Sequence, residues 1–150
     1  MMSCDLVYAV ACHLPFTEEH PMANVVHFEI PFDDKARAMK FYADALDWQL
    51  QDMPEMNYVM AGTTPIGADF MPTEPGAING GLTQRPKEAP APVVYVDVPS
   101  IDDAIKKVQA AGGTVVTPKT PIPNMGSYAR VTDTEGNVVG LFSQNQEPSG

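Results

Sequence analysis

The chain has 150 residues, 44% of them hydrophobic, and a formal net charge of −10 at pH 7. This length suits one compact domain or two small modules that share a core. The charge argues against nucleic acid as a partner, because proteins bind phosphates through Lys and Arg. Cys4 and Cys12 are the only cysteines, which excludes a disulfide-stabilised core and a structural zinc site with four cysteine or mixed cysteine–histidine ligands. We therefore expect a reducing, cytoplasmic location.

Residues 1–21 resemble nothing that follows them. Their apolar run, Leu6 to Cys12, is far shorter than the about 20 residues that a membrane-spanning helix needs. The segment before that run has Asp5 and no Lys or Arg, unlike a secretory signal. We expect no membrane partner, and we interpret residues 1–21 as an extension without fixed structure that the fold can lose. The domain itself would then start at Met22.

The first module begins with a predicted strand, Val25 to Pro31, rich in β-branched and aromatic residues. Asp33 or Asp34 can cap the helix that follows, because a carboxylate oxygen accepts bonds from free backbone N–H groups. One apolar stripe marks this helix: Ala38, Met39, Tyr42, Ala45 and Leu46. Further strands are predicted at 48–51, 58–61 and 78–84, with a turn at Pro54.

The segment 86–92 is proline-rich and polar, and is typical of a stiff linker. After it the pattern starts again, with a strand at 93–98 and Ser100 as the cap of a second helix. Gly112 and Gly113 are expected to end that helix. The remaining strands are predicted at 114–117, 127–132 and 138–143, and residues 133–137 have the composition of a hairpin turn.

An internal repeat organises the chain. A shift of 66 residues superposes the two helix stripes and places His27 on Val93. The sequence therefore predicts an α+β fold of two βαβββ modules, residues 22–85 and 93–145, joined by the linker and followed by a tail at 146–150. Neither small sheet can bury its inner face alone, so we expect the sheets to pair and enclose a cleft.

Three segments carry a family resemblance: HFEIPFDDKARAMKFY, YVDVPSIDDAIKKVQAAGGTVVTPKTPIP and DTEGNVVGLF. They resemble the vicinal oxygen chelate superfamily, which includes glyoxalase I, extradiol dioxygenases and bleomycin-resistance proteins. The resemblance covers residues 24–144 and is closest to the glyoxalase-like branch, many of whose members have no assigned substrate. It implies a half-barrel cleft between the modules, a small-molecule ligand and a homodimer.

The resemblance also locates the metal ligands of the superfamily. Four equivalent positions supply them, and here these hold His27, Gly81, Val93 and Gly140. A catalytic divalent metal normally needs about three protein ligands, so we expect no metal and no other cofactor. As an alternative, His27 could recruit Glu29 or Asp97 to hold iron or manganese. The two glycines either widen the pocket floor or bend the strands; the sequence does not separate these readings.

His27 and Glu29 are the candidate catalytic pair, since alternate residues of one strand share a face. Either His27 moves a proton near neutral pH, or its imidazole is a leftover ligand that only needs a hydrogen-bond partner. Arg130 could bind a carboxylate, although a solvated strand-face arginine is the commoner case and the one we expect. For each aromatic candidate, ordinary sheet packing is the favoured alternative. The candidates for ligand binding are Tyr58, Met60, Tyr95, Asp97, Tyr128, Arg130 and Phe142.

Three functions follow from these observations. The leading one is a glyoxalase-like protein that binds a small organic molecule without the usual metal, either as a sequestering, resistance-type binder or as a metal-free enzyme using His27 and Glu29. The second is a metal-dependent lyase, isomerase or dioxygenase. The third is a non-catalytic protein-interaction subunit in which the cleft is vestigial.

Overall fold

The computed structural model describes residues 22–68 and 71–144. The predicted extension at 1–21 and tail at 146–150 lie outside the described residues.

The first module contains four strands and one helix. Asp34 caps the helix, its side chain accepting the backbone N–H of Arg37 at 2.9 Å. Asp47 ends the helix in the left-handed conformation, with φ 56°. In chain order the elements are β1 (Val25–Phe32), α1 (Lys35–Leu46), β2 (Gln49–Met53), a 3-10 turn (Pro54–Met56), β3 (Tyr58–Gly62) and β4 (Gly80–Gln84).

The second module repeats this order. Ser100 caps its helix by accepting the backbone N–H of Asp103 at 3.2 Å. Gly112, with φ 101°, follows the helix, a conformation that glycine adopts at little cost. The elements are β5 (Val93–Asp97), α2 (Ile101–Ala110), β6 (Thr114–Ile122), β7 (Gly126–Thr132) and β8 (Val138–Ser143).

Several predicted strand bounds were wrong by one or two residues, and the end of β6 by more. Strand β6 does not end at Thr117 but runs on to Ile122. It includes Pro118 and Pro121, which are tolerated because β6 is an edge strand and its outer N–H groups have no ladder partner. Strand β4 starts at Gly80 rather than Ile78, since the side chain of Asn79 instead accepts the backbone N–H groups of the loop at residues 63–64.

The eight strands form one mixed sheet in the order β2-β3-β4-β1-β5-β8-β7-β6. In each module the first strand pairs in parallel with the last, β1 with β4 and β5 with β8. The modules join edge to edge where β1 pairs antiparallel with β5. The predicted α+β class and the two βαβββ modules are confirmed.

Both helices pack on one face of the sheet. Under α1 lie the buried side chains of Phe32, Val59 and Leu82, and α2 covers a second core around Ala129 and Leu141. Alternate strand residues point to the opposite face, which we call the cleft face; it carries His27, Glu29, Tyr95 and Arg130. Within the described residues, neither helix is long and apolar enough to cross a membrane.

Candidate functional site

A closed polar network joins the two modules on the cleft face. Arg130 donates from Nε to the Tyr95 hydroxyl at 2.9 Å and from Nη2 to Glu29 Oε1 at 3.1 Å. The Tyr95 hydroxyl donates to the same carboxylate oxygen. Glu29 comes from β1, Tyr95 from β5 and Arg130 from β7, so both modules contribute to the network.

This network corrects the expectation that Arg130 is a solvated strand-face residue. The side chains of Arg130 and Glu29 are only 10% and 13% exposed. Burying two charges is costly, and the cost is offset only when they pair and their remaining groups are hydrogen bonded. Strand β7 lies inside the sheet, where Arg130 pairs with Gly140 of β8. The hydrogen bonds to Glu29 and Tyr95 thus satisfy the guanidinium in its buried position.

A second polar pair lies beside the network in the first module. Nε2 of His27 is 2.6 Å from the hydroxyl of Tyr58. Burial lowers the pKa of His27, and the negative charge of Glu29 only partly opposes this. Burial also raises the pKa of Tyr58, and the nearby charge of Glu29 raises it further. At neutral pH the pair is therefore an uncharged imidazole bonded to a phenol.

Tyrosine rings fill the space above Gly81 and Gly140. A Cβ atom at Gly81 would overlap the phenol of Tyr58, and one at Gly140 would overlap the ring of Tyr95. The suggestion that these glycines widen the pocket floor was therefore wrong. They make room for the protein's own aromatic side chains, which stand where the superfamily often has a carboxylate.

The residues present do not fit the metal site of the superfamily. His27 is engaged by Tyr58, two of the remaining positions are glycines beneath tyrosine rings, and Val93 is apolar and 4% exposed. The two alternative metal ligands do not complete the site. Glu29 is paired with Arg130, and Asp97 is exposed and makes no hydrogen bond to the network. In the described part of the chain no cluster of three or more His, Cys, Asp or Glu could hold a metal ion.

The other predicted ligand-binding residues divide into two groups. Tyr95 is 4% exposed and packs with Val93 and with Ala89 of the linker, so it supports the floor of the site. Met60, Tyr128 and Phe142 are half-buried, and Tyr128 lies under Arg130 with its ring centroid 5.3 Å from Cζ. Sequence reasoning missed the packing of Ala89, for which the linker composition gave no signal.

Comparison with known proteins identifies relatives of this chain. Residues 24–63 match the family model "Bleomycin resistance protein-like N-terminal". A glyoxylase-like domain-containing protein of Didymella fabae is 30% identical over 114 residues, covering 73% of this chain and 84% of the relative. The glyoxylase-type protein CFP32 of Mycobacterium bovis is 28% identical over 138 residues. That alignment covers 89% of this chain but 50% of CFP32, so the chain spans half the length of this relative.

Solved structures share the fold at low sequence identity. A glyoxalase/bleomycin resistance protein/dioxygenase superfamily member from Vibrio splendidus 12B01 superposes with a TM-score of 0.54 at 13% identity, covering 81% of this chain and 99% of the other. Methylmalonyl-CoA epimerase of Streptomyces coelicolor, in complex with 2-nitronate-propionyl-CoA, gives a TM-score of 0.56 at 12% identity, with 87% and 100% covered.

Fold and site together define a tandem βαβββ protein with a polar site at the junction of its modules. The chain belongs to the glyoxalase/bleomycin resistance protein/dioxygenase superfamily, the vicinal oxygen chelate superfamily that its sequence resembles.

The overlap at Gly81 gives a first prediction. Gly81→Ala should lower the free energy of unfolding by about 1–3 kcal/mol, the usual cost of overpacking, because the new methyl group displaces Tyr58 from His27. Urea denaturation measures the change. In a Tyr58→Leu background the same substitution should cost much less, since the ring it displaces is gone. Equal costs in both backgrounds would contradict this account of the glycine.

The buried His27 gives a pH prediction. Its folded pKa lies below the ordinary value of 6.5, so between these two pKa values the unfolded chain binds more protons than the folded one. The contribution of His27 to the free energy of unfolding should therefore be constant above the ordinary pKa and fall as the pH drops below it. Urea denaturation at several pH values checks this. A His27→Gln variant, which keeps a hydrogen-bonding group for Tyr58, should lose that part of the pH dependence, and an unchanged profile would argue against a buried neutral imidazole.

Proposed function

We propose that this protein binds a small organic molecule on the cleft face at the module junction, without a metal ion. One observation carries the proposal: tyrosine rings occupy the space above Gly81 and Gly140, two positions from which the superfamily often presents metal-binding carboxylates. The site is instead built from paired polar groups and aromatic rings. Such sites favour flat organic molecules, with a few placed polar contacts that set orientation.

The half-buried side chains are those that a ligand would touch: His27, Tyr58, Met60, Tyr128 and Phe142. Beneath them the network of Glu29, Tyr95 and Arg130 fixes the floor. The epimerase of Streptomyces coelicolor holds a CoA derivative on the same fold, which supports a small-molecule role for this chain as well.

A sequestering, resistance-type binder fits the site better than a metal-free enzyme. Enzymatic use of Glu29 would require its carboxylate to take up a proton while Oε1 accepts hydrogen bonds from both Tyr95 and Arg130. His27 is the remaining acid–base group, and its Nε2 is already bonded to Tyr58. The network of Glu29, Tyr95 and Arg130 lies within one chain. The predicted homodimer and cytoplasmic location stay predictions.

A thermal-shift screen of small, planar, uncharged compounds tests this function. We expect compounds that raise the melting temperature, since a ligand at about 100 times its Kd stabilises the folded state by about 2.7 kcal/mol. Their effect, measured against each variant's own unliganded melting temperature, should be lost in Tyr128→Ala. It should persist in Phe41→Ala, whose ring is 59% exposed on α1, the helix that packs on the opposite face of the sheet. A broad screen without any stabilising compound would instead favour a protein-interaction subunit.

A further inference from the structure

Thr117 carries a hydroxyl that the fold leaves without a partner. Among residues 22–68 and 71–144, the buried side-chain atoms that lack a hydrogen bond are Thr117 Oγ1 and Asn79 Nδ2. A buried hydroxyl without a partner lowers stability, because it gives up its bonds to water and gains nothing in return. Valine has nearly the same shape and would avoid this cost. The hydroxyl therefore calls for an explanation beyond packing.

Two irregularities in β6 turn Thr117 toward the cleft face. Val115 pairs with Val131 on the helix face, and two residues later Thr117 pairs with Arg130 rather than with residue 129. A second shift follows before Thr120 pairs with Tyr128. In regular alternation Thr117 would share the face of Val115, so the bulge is what places it beside Arg130. Bulges are frequent next to functional sites, where they re-aim a side chain.

Arg130, the neighbour of Thr117, has hydrogen-bonding capacity left over. A guanidinium has five N–H donors, and the network uses one on Nε and one on Nη2. The ring of Tyr128 holds the guanidinium plane by a cation–π contact at 5.3 Å. In the free protein Oγ1 of Thr117 points inward, and a rotation about χ1 that exchanges it with the methyl group when a ligand binds would turn the hydroxyl toward that ligand. The Thr117 hydroxyl and the Arg130 guanidinium would then donate hydrogen bonds to the same ligand atom.

The charges around Thr117 and Arg130 indicate which kind of ligand atom can bind there. The positive charge of Arg130 is already matched by Glu29, and His27, Tyr58 and Tyr95 are neutral at neutral pH. The chain as a whole carries −10 and repels anions. A carboxylate would therefore meet little net attraction here. An uncharged carbonyl oxygen can accept both hydrogen bonds and needs no counter-charge.

We propose that Thr117 and Arg130 form a subsite on the cleft face that hydrogen-bonds an uncharged carbonyl oxygen of a planar ligand. This inference rests on the proposed small-molecule function and specifies its ligand class. Thr117 is a specificity-determining residue in this scheme: its hydroxyl costs stability in the free protein and is satisfied when the ligand binds.

Three variants of the full chain separate this role from packing. Thr117→Val should raise the melting temperature of the free protein, because it removes an unpartnered hydroxyl, and should weaken ligand binding. Thr117→Ser keeps the hydroxyl and should retain binding. Thr114→Val is the matched control on the same strand: its hydroxyl is exposed and already bonded to Thr132, so the substitution should not raise the melting temperature or alter binding.

Benzamide and benzoate are suitable probes, since they have the same ring and size but differ in charge. Titrations followed by ¹⁵N–¹H NMR should show benzamide binding more tightly than benzoate, with shifts at Thr117 and Arg130. Thr117→Val should weaken benzamide about fivefold, the value of one neutral hydrogen bond.

Several results would overturn the inference. One is tighter binding of benzoate, another is full benzamide affinity in Thr117→Val, and a third is binding of neither probe by the wild-type protein. If the thermal-shift screen still yields cleft ligands in these cases, the small-molecule function stands and only this ligand class fails. If the screen also yields none, both fail.

Discussion

The ion pair between Glu29 and Arg130, closed by the Tyr95 hydroxyl, is the interaction on which the site depends. It ties β1 of the first module to β5 and β7 of the second across the junction. Removing one member of a buried pair typically costs about 3–5 kcal/mol, because the other charge is left uncompensated. Substitutions in this network should therefore destabilise the junction. A ligand would meet polar groups that are largely hydrogen bonded to each other.

The floor of the site also depends on glycines in two strands that make room for tyrosines from the neighbouring strands. Glycine at positions 81 and 140 permits the rings of Tyr58 and Tyr95 to lie across the neighbouring strands. Large side chains on β3 and β5 thus occupy the volume that ligating side chains on β4 and β8 would need. The exchange replaces negative charge by neutral phenols, whose pKa values burial raises, so they act as hydrogen-bond donors. A site of this kind recognises polar groups and aromatic surface.

Much of this architecture could be predicted from the sequence. The helix stripes, the caps at Asp34 and Ser100 and the 66-residue repeat led to the two modules because each is a local pattern. Strand alternation alone predicted that His27 and Glu29 lie on the same face of the sheet. The burial of Arg130 could not be predicted in this way, since it depends on a carboxylate 101 residues away in the sequence. Thr117 was missed for a similar reason: strand alternation assumes no bulge, and β6 has shifts in register on both sides of it.

We infer that tyrosine rings and an internal ion pair take the place of the superfamily's metal site. Elemental analysis of the purified protein after mild dialysis, with His27→Ala in parallel, tests it most directly. We expect divalent metal far below one equivalent per chain, with no difference between the two proteins. Near-stoichiometric iron, manganese, nickel or zinc that disappears in His27→Ala would contradict it.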